Sequence, residues 1–175
     1  MKLNFDKSFD LVIKSEGGYV NDPLDNGGET NLGVTKAAWM AYLKVKELPP
    51  NAMKELTKDK VKSFYKSMYW DKVCGDDLPT GIDYLAFDFA VNAGASQSAK
   101  FIQRAVGSND DGVIGPVTME KVIKTAPVDL LNSFTKQKES FYRDIIARRP
   151  DQVKFLRGWL GRVAHTDKQA REMLV

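Results

Sequence analysis

Glu16 is the residue whose setting in the sequence best suits acid catalysis. Four apolar residues precede it at the spacing of one helix face, namely Phe5, Phe9, Val12 and Ile13. This pattern predicts a helix that carries Glu16 in its last turn and stops at Gly17-Gly18. A carboxyl among apolar neighbours loses hydration, which raises its pKa and keeps it protonated, as a general acid requires. Helical spacing alone leaves a second interpretation open, in which Glu16 is only a polar residue at a helix end.

A loop rich in turn-forming residues follows at 21–33 and supplies polar partners for Glu16. Its sequence, NDPLDNGGETNLG, excludes a helix and fits a loop or a short hairpin. A glycosidase needs a second polar group across the scissile bond. The candidates in this loop are Asp22, Asp25, Glu29, Thr30 and Asn31. Asp22 and Asp25 both stand beside turn formers, so each could instead serve only the turn.

The composition limits other kinds of chemistry. Cys74 and His165 are single residues of their types, which excludes an internal disulfide and a zinc site of the usual Cys/His kind. The same scarcity disfavours a Cys–His or Ser–His hydrolase. The turn at Asp110-Asp111-Gly112 lacks the spacing of a calcium-binding loop. We therefore expect neither a metal nor a cofactor.

Charge and hydropathy bear on the partners of the chain. The segment from Lys136 onward holds ten Lys or Arg residues against five Asp or Glu residues. Such a segment is either a solvated helix face or a surface for a polyanion such as a cell-wall polymer. Phe155, Leu156 and Trp159 recur there at helical spacing, which requires part of it to pack inward and disfavours nucleic-acid binding. No apolar run approaches the roughly 20 residues of a membrane span, and the N-terminus lacks the pattern of a signal peptide.

Helical spacing extends through most of the remaining chain. Thr35 and Thr57 are predicted to cap helices, the first over 36–47. Residues 81–93 and 96–106 are predicted to form two buried helices.

Proline marks the helices of the C-terminal part. Pro116 and Pro127 fit the first turns of a short and a long helix. A further helix near 151–160 and a short one capped by Thr166 are predicted to close the chain. The elements together indicate one compact, mainly α body with a glycine-rich loop inserted early.

The stretch EGGYVNDPLDNGGETNLGVTKAAW resembles the start of glycoside hydrolase family 108, N-acetylmuramidases found among phage endolysins and bacterial secretion-activator-like proteins. The family's motifs match at Glu16–Tyr19, Asn21–Pro23, Gly27–Asn31 and Gly33–Thr35. Downstream, FDFAVNAGASQSAKFIQRAVG and DGVIGPVTMEKV resemble the predicted peptidoglycan-binding region that usually follows. The resemblance covers most of the chain, although the final helices match only loosely.

The resemblance implies a mainly α, lysozyme-like fold with a short glycine-rich loop or β-hairpin after the first helix. It also implies cleavage of the β-1,4 bond between N-acetylmuramic acid and N-acetylglucosamine, with Glu16 as the catalytic acid. In phage-type lysozymes eight residues separate the Glu from an Asp, which leads here to Asp25, and Thr30 then lies one residue out of register. Thr30 or Asn31 would assist Asp25 in stabilising the developing cation or positioning a water.

Several points of the site stay open at the level of sequence. Asp22 rivals Asp25, and retention or inversion depends on the separation of the two carboxyls. Tyr19 is expected to stack on a sugar ring, whereas Trp39, Tyr69 and Trp70 fit the core better. Asn92 either contacts an N-acetyl group or caps buried backbone.

The expected organisation is a catalytic lobe over 1–94 and a helical lobe with the peptidoglycan-binding-like region over 95–175, packed as one monomeric domain. Peptidoglycan is the expected partner, and no nucleic-acid partner is expected. The resemblance implies a lysis protein that waits in the host cytoplasm until a holin, which it need not contact, opens the way to the periplasm and cell wall. The alternative is a peptidoglycan-binding protein without catalysis.

Overall fold

The computed structural model describes residues 4–21 and 28–174, which are mainly helical with one short antiparallel hairpin. The elements are α1 Asn4–Ile13, β1 Thr30–Asn31, β2 Val34–Thr35, α2 Lys36–Leu43, α3 Lys58–Tyr65, α4 Ile82–Ala93, α5 Ala95–Ala105, α6 Pro116–Lys124, α7 Pro127–Arg148 and α8 Val153–Met173. A π-helical turn, Lys66–Trp70, and a 3-10 turn, Asp71–Val73, follow α3, and a second 3-10 turn, Pro150–Gln152, precedes α8. The predicted class, mainly α with a hairpin after the first helix, is confirmed. Within the described residues no helix is long and apolar enough to cross a membrane.

The chain divides into two compact units. The N-terminal unit is Asp6–Met68, and the helical unit is Tyr69–Val175 together with Met1–Phe5. This division falls after residue 68, whereas the sequence predicts a lobe boundary at 94/95, and that boundary stays a prediction.

The core of the N-terminal unit forms where α1 and α3 present apolar faces. Phe9, Val12 and Ile13 of α1 are buried, as their spacing predicts. The ring of Phe9 lies edge-on to Tyr65 of α3 with centroids 5.5 Å apart. These contacts fix the end of α1, from which Glu16 projects.

The end of α1 differs slightly from the prediction. The helix ends at Ile13, and the chain continues in a tighter turn in which the Glu16 amide donates to the Ile13 carbonyl at 3.2 Å. Hydrogen bonds from the amide of one residue to the carbonyl three residues earlier often satisfy the last carbonyls of a helix. Glu16 therefore follows the helix by one turn instead of lying within it.

The hairpin is the second element that positions the candidate site. Thr30 pairs with Thr35 and Asn31 with Val34, and the two-residue turn between them has positive φ at both Leu32 (50°) and Gly33 (73°). Positive φ at both positions is the signature of a type I′ turn, whose twist matches that of the strands. An isolated bridge also joins Thr30 to Val20 through two hydrogen bonds of 2.8 Å.

The two predicted threonine caps are confirmed. The Thr35 hydroxyl accepts from the Ala38 amide at 3.2 Å, and that of Thr57 accepts from the Lys60 amide at 3.4 Å. The helix after Thr35 ends at Leu43 and not at 47, because Lys44 turns into the left-handed region with φ 57°. Its amide then bonds back to the helix, as in a C-cap.

The helical unit is built around α4, whose residues Ile82 to Ala90 are all buried. Helix α4 packs against α5, α7 and α8. Phe89 of α4 stacks on Phe101 of α5 at 4.7 Å, and Phe134 and Phe141 of α7 meet it edge-on. The predicted helices over 81–93 and 96–106 are thus confirmed as the centre of this unit.

A buried charge network joins three helices of the helical unit. The Asp88 carboxylate on α4 accepts from Lys138 Nζ on α7 at 3.0 Å and from Arg162 on α8 at 2.8 Å. Lys138 also donates to the Thr166 hydroxyl at 3.0 Å. Part of the basic C-terminal segment therefore serves internal pairing and is not available to a polyanion.

The prediction of two separate C-terminal helices is wrong. One helix, α8, runs from Val153 to Met173, and Thr166 lies inside it, fully surrounded by protein. The Thr166 hydroxyl donates to the Val163 carbonyl of its own helix at 3.1 Å while it accepts from Lys138. A threonine of this kind resembles a cap in sequence, but a buried lysine on another helix explains its presence.

Candidate active site

The Glu16 carboxyl lies against the tip of the hairpin. A β-carbon built on Gly33 would come 2.6 Å from Glu16 Oε2 and 2.5 Å from Tyr65 Oη. Real β-carbons do not approach other atoms so closely, and the φ of +73° is also unfavourable for any residue with a side chain. Glycine at 33 therefore leaves room at the turn for both the carboxyl and the phenol.

Tyr65 was not predicted to belong to the site. Its ring is completely buried, and its hydroxyl donates to the Leu32 carbonyl at 2.9 Å. The phenol thus bonds the hairpin turn to α3, at the turn against which the Glu16 carboxyl also lies. In the sequence Tyr65 is one of several apolar residues of the α3 stripe, so no local signal separates it from its neighbours.

Two glycines follow Glu16 directly in the chain. Glu16 is half-buried, whereas Gly17 and Gly18 are exposed, and β-carbons built on them would meet no atom of residues 4–21 and 28–174 within 4 Å. The carboxyl therefore lies against Gly33 and is followed in the chain by two residues without side chains. A bulky ligand could approach the backbone there.

A second polar cluster contains Tyr19 and Glu29. The Tyr19 hydroxyl donates to Glu29 Oε1 at 2.9 Å, and Lys36 Nζ lies 3.3 Å from Glu29 Oε2. The Tyr19 hydrogen bond and the two nearby lysines, Lys36 and Lys54, lower the pKa of Glu29 and keep it ionised. Burial and the Glu29 carboxylate raise the pKa of Tyr19. Lys54 Nζ lies 5.4 Å from the centroid of the Tyr19 ring.

Thr30 and Asn31 face in different directions, as neighbours in a strand do. The Asn31 side chain is 6% exposed, and its amide donates to the Met53 carbonyl at 2.7 Å. Thr30 is half-buried, and its hydroxyl donates to the Gly28 carbonyl at 3.4 Å. The Asn31 amide therefore anchors the hairpin, whereas the Thr30 hydroxyl forms the longer of the two hydrogen bonds.

The remaining predicted site residues are Asp22, Asp25 and Asn92. Asp22 and Asp25 lie outside the described residues. Asn92 is exposed near the end of α4, in the helical unit, and its amide donates to the Asp88 carbonyl at 2.6 Å. That bond matches the capping alternative, and a contact with an N-acetyl group stays a prediction. Trp39 and Trp70 are buried, as expected for core residues.

Metal ligation finds no support among residues 4–21 and 28–174, where His, Cys, Asp and Glu form no group of three suited to an ion. Cys74 is half-buried, and its thiol faces the Ile114 carbonyl at 3.6 Å. Burial and the nearby Asp77 and Asp71 raise the pKa of this thiol, which makes it a poor nucleophile at neutral pH.

Comparison with known proteins finds matches to two sequence families and to a solved structure. Residues 9–94 match the sequence model of the family described as Glycosyl hydrolase 108, and residues 97–164 match the one described as Predicted Peptidoglycan domain. The solved structure of Brucella abortus SagA is similar, with a TM-score of 0.85 and 35% identity over 99% of this chain and 97% of that chain. No curated protein matches the chain significantly in sequence. The first matched range contains Glu16, the hairpin and Tyr65, and the resemblance seen in the motifs is confirmed.

Proposed function

Since this chain belongs to glycoside hydrolase family 108, we propose that it is an N-acetylmuramidase with Glu16 as its general acid. Family membership and the peptidoglycan domain make it a glycoside hydrolase that acts on peptidoglycan. The proposal adds the bond, which is the β-1,4 linkage between N-acetylmuramic acid and N-acetylglucosamine. The observation that carries it is the Glu16 carboxyl, which lies against Gly33 at the tip of the hairpin and is followed by Gly17 and Gly18.

In the proposed reaction the Glu16 carboxyl donates its proton to the glycosidic oxygen. The bond from that oxygen to the anomeric carbon breaks, and positive charge develops on the sugar ring. Water supplies the hydroxyl of the new reducing end, so one water is consumed for each bond cleaved. The fixed position of the carboxyl matters because a proton donor must lie within hydrogen-bond reach of the leaving oxygen.

A second group must stabilise the cation or activate the water. We assign this role to Asp25, assisted by the hydroxyl of Thr30, on the lysozyme-like spacing from Glu16. Asp22 remains the rival of Asp25, and Asn31 that of Thr30. The Asn31 amide already holds the Met53 carbonyl in a short hydrogen bond, which favours Thr30 over Asn31 for this role. The anomeric configuration of the first product, followed by NMR, would decide between inversion and retention.

The test compares Glu16→Gln with the wild-type chain on outer-membrane-stripped cells. Loss of a general acid is expected to slow clearing by about 100- to 10,000-fold, while mass spectrometry of wild-type products finds new reducing N-acetylmuramic acid ends. Glu47→Gln is the matched control, because Glu47 is exposed in the same unit and lies outside the site. Unchanged lysis by Glu16→Gln would refute the role of Glu16. Products cut in the peptides, with the glycan intact, would refute the proposed bond.

A second candidate function is peptidoglycan binding without catalysis, which the match over 97–164 favours. A binding protein would sediment with purified walls and release no reducing sugar. Its binding would be the same in the wild-type chain and in Glu16→Gln. Release of reducing sugar by the wild-type chain but not by Glu16→Gln would exclude this candidate.

We also propose a cellular setting, in which the chain stays in the cytoplasm until a holin opens the inner membrane and then lyses the cell from within. The similar structure comes from a bacterium, so the competing setting is a bacterial enzyme exported by another route. Cells that produce the chain with a holin should lyse, and cells that produce it alone should not. The proposal further takes the chain to be a monomer, which light scattering of the purified protein would check.

A further inference from the structure

The helical unit contains a cavity of about 540 Å³ between α5 and α7, which we call the α5/α7 pocket. Gln97, Phe101 and Arg104 line it from α5, at the spacing of one helix face. The residues that line it from α7 fall between Lys136 and Arg148. The volume lies within the roughly 300–1,000 Å³ of ordinary ligand pockets. Two regular helices form the walls, so the lining groups stand on rigid elements.

The charge of the α5/α7 pocket is positive. Three cations line it, Arg104, Lys136 and Arg148, against one acid, Asp144. Arg104 is held in place by Asp110, whose carboxylate accepts from Arg104 Nε at 2.7 Å. The pocket therefore favours a ligand that carries at least one negative group.

The base of the α5/α7 pocket is aromatic. Phe101 and Phe141 meet edge-on with centroids 6.1 Å apart, and Phe101 is itself stacked on the buried Phe89. The Arg104 guanidinium lies 5.9 Å from the centroid of the Phe101 ring. Ser140 and Gln97 add polar groups to the wall. The ligand should thus combine an apolar part with its negative groups and with groups that form hydrogen bonds.

We propose that the α5/α7 pocket binds a short peptide with free carboxylates, namely the peptide stem of peptidoglycan. This inference rests on the proposed function, since it assigns a role within the same substrate. All the lining residues belong to the stretch that matches the peptidoglycan domain, residues 97–164. In peptidoglycan the free carboxylates lie on the peptide stems, whereas the glycosidic oxygens and N-acetyl groups of the glycan are neutral.

The geometry distinguishes this ligand from an extended polyanion. A long phosphate chain gains affinity from each cation along a continuous surface, whereas here the cations surround one cavity that also contains Asp144. Arginine matches a carboxylate with two parallel hydrogen bonds, which adds specificity to the charge. Short aliphatic side chains of the stem would lie on Phe141, which is half-buried, whereas Phe101 supports it from within the core. Asp144 is placed to receive a peptide amide or an amino group.

The experiment measures binding of a purified, glycan-free stem tetrapeptide to the full chain by NMR titration. Lys136→Ala and Arg148→Ala should each weaken binding roughly tenfold or more, because each removes a charge-assisted bond. Arg143→Ala is the matched control, since it removes the same charge from the same helix outside the pocket lining, and it should leave binding unchanged. The same peptide with its carboxylates amidated should not bind.

Three results would overturn the proposal. One is a tetrapeptide that does not bind. Another is an equal loss of binding in Arg143→Ala and in the pocket variants, which would indicate a general charge effect. The third is binding of a peptide-free disaccharide that the pocket variants weaken equally. The tetrapeptide contains no glycosidic bond, so failure of Glu16 catalysis would leave these outcomes untouched, and failure here would leave glycan cleavage untouched.

Discussion

Gly33 and Glu16 are fitted to one another, since a β-carbon at position 33 would lie 2.6 Å from Glu16 Oε2. The tip of the hairpin is therefore part of the support of the carboxyl. Lysozyme-like chemistry needs such support, because a displacement of about 1 Å in a catalytic group can reduce the rate 100-fold.

Gly33→Ala should impair both folding and lysis. Positive φ alone costs an alanine about 1–2 kcal/mol, and the new methyl group also displaces Glu16 or Tyr65. Thermal unfolding and turbidity clearing measure the two effects. Gly18→Ala is the control for stability, because a β-carbon there meets no atom within 4 Å in the described part of the chain, and its free energy of unfolding should change by less than about 0.5 kcal/mol. Equal stability of the two variants would contradict the fit between Gly33 and Glu16.

Tyr65→Phe should loosen the hairpin without emptying the core. The ring stays in place, and the hydroxyl is lost together with its hydrogen bond to the Leu32 carbonyl, 2.9 Å in length. We expect a loss of about 0.5–1.5 kcal/mol in unfolding free energy, together with a lower kcat and an unchanged KM. Tyr42→Phe removes the same atom from another ring of the unit and should do neither. A wild-type kcat for Tyr65→Phe would show that the phenol does not position Glu16.

Tyr19 is predicted to stack on a sugar ring, and two variants separate its ring from its hydroxyl. Tyr19→Phe loses the bond to Glu29, 2.9 Å in length, but keeps the ring, so its KM for soluble glycan fragments should stay near that of the wild-type chain. Tyr19→Ala should raise KM about three- to tenfold through loss of the aromatic contact. If the two variants are equally impaired, the bond to Glu29 is the essential contact and stacking is not.

Asp88→Asn should destabilise the helical unit strongly. It would leave Lys138 and Arg162 as like charges around a buried amide, and breaking a buried ion pair costs about 3–5 kcal/mol. Urea unfolding at neutral pH measures the loss. Asp151→Asn is the control, because the Asp151 side chain is 67% exposed in its pair with Arg149, and such surface pairs contribute about 0–1 kcal/mol.

The same carboxylate gives a pH dependence of known sign. Burial acts to raise the pKa of Asp88, but the charges of Lys138 and Arg162 outweigh it and hold the pKa below its usual value. The folded state therefore binds the proton less readily than the unfolded chain, whose Asp has a pKa of about 3.9. The stabilisation is complete above that pH and is lost as the pH falls through the lower, folded-state pKa. Urea midpoints that do not fall with acidification in this range would contradict the assignment.

The sequence predicts those parts of the molecule that local chemistry decides. Thr35 and Thr57 cap helices because each hydroxyl accepts a hydrogen bond from an amide in the first turn of the helix that follows it. This local bond does not depend on how the helix packs in the fold. Glu16 could be selected because its apolar stripe and the motif around it are both continuous in the chain. The stripe predicted the burial of Phe9, Val12 and Ile13 correctly.

The parts that the sequence missed depend on contacts between distant residues. Tyr65 joins the candidate site only because α3 packs under the hairpin, 33 residues after the carbonyl that it holds. Thr166 resembles a cap in the sequence, because nothing near it reveals the buried Lys138 that it binds. Lys44 ends α2 early by adopting a left-handed backbone that lysine seldom takes.

The charge network at Asp88 also determines which arrangement of helices the unit can adopt. Apolar faces such as those of α4, α7 and α8 would tolerate a slide or rotation, because one aliphatic contact can replace another. Each of these three helices contributes one charge. A shift of any of them by one residue would therefore leave a charged side chain in the core without its partner. The network thus sets the register of the bundle. Apolar replacements at all three positions could leave it equally stable but free to settle in more than one packing.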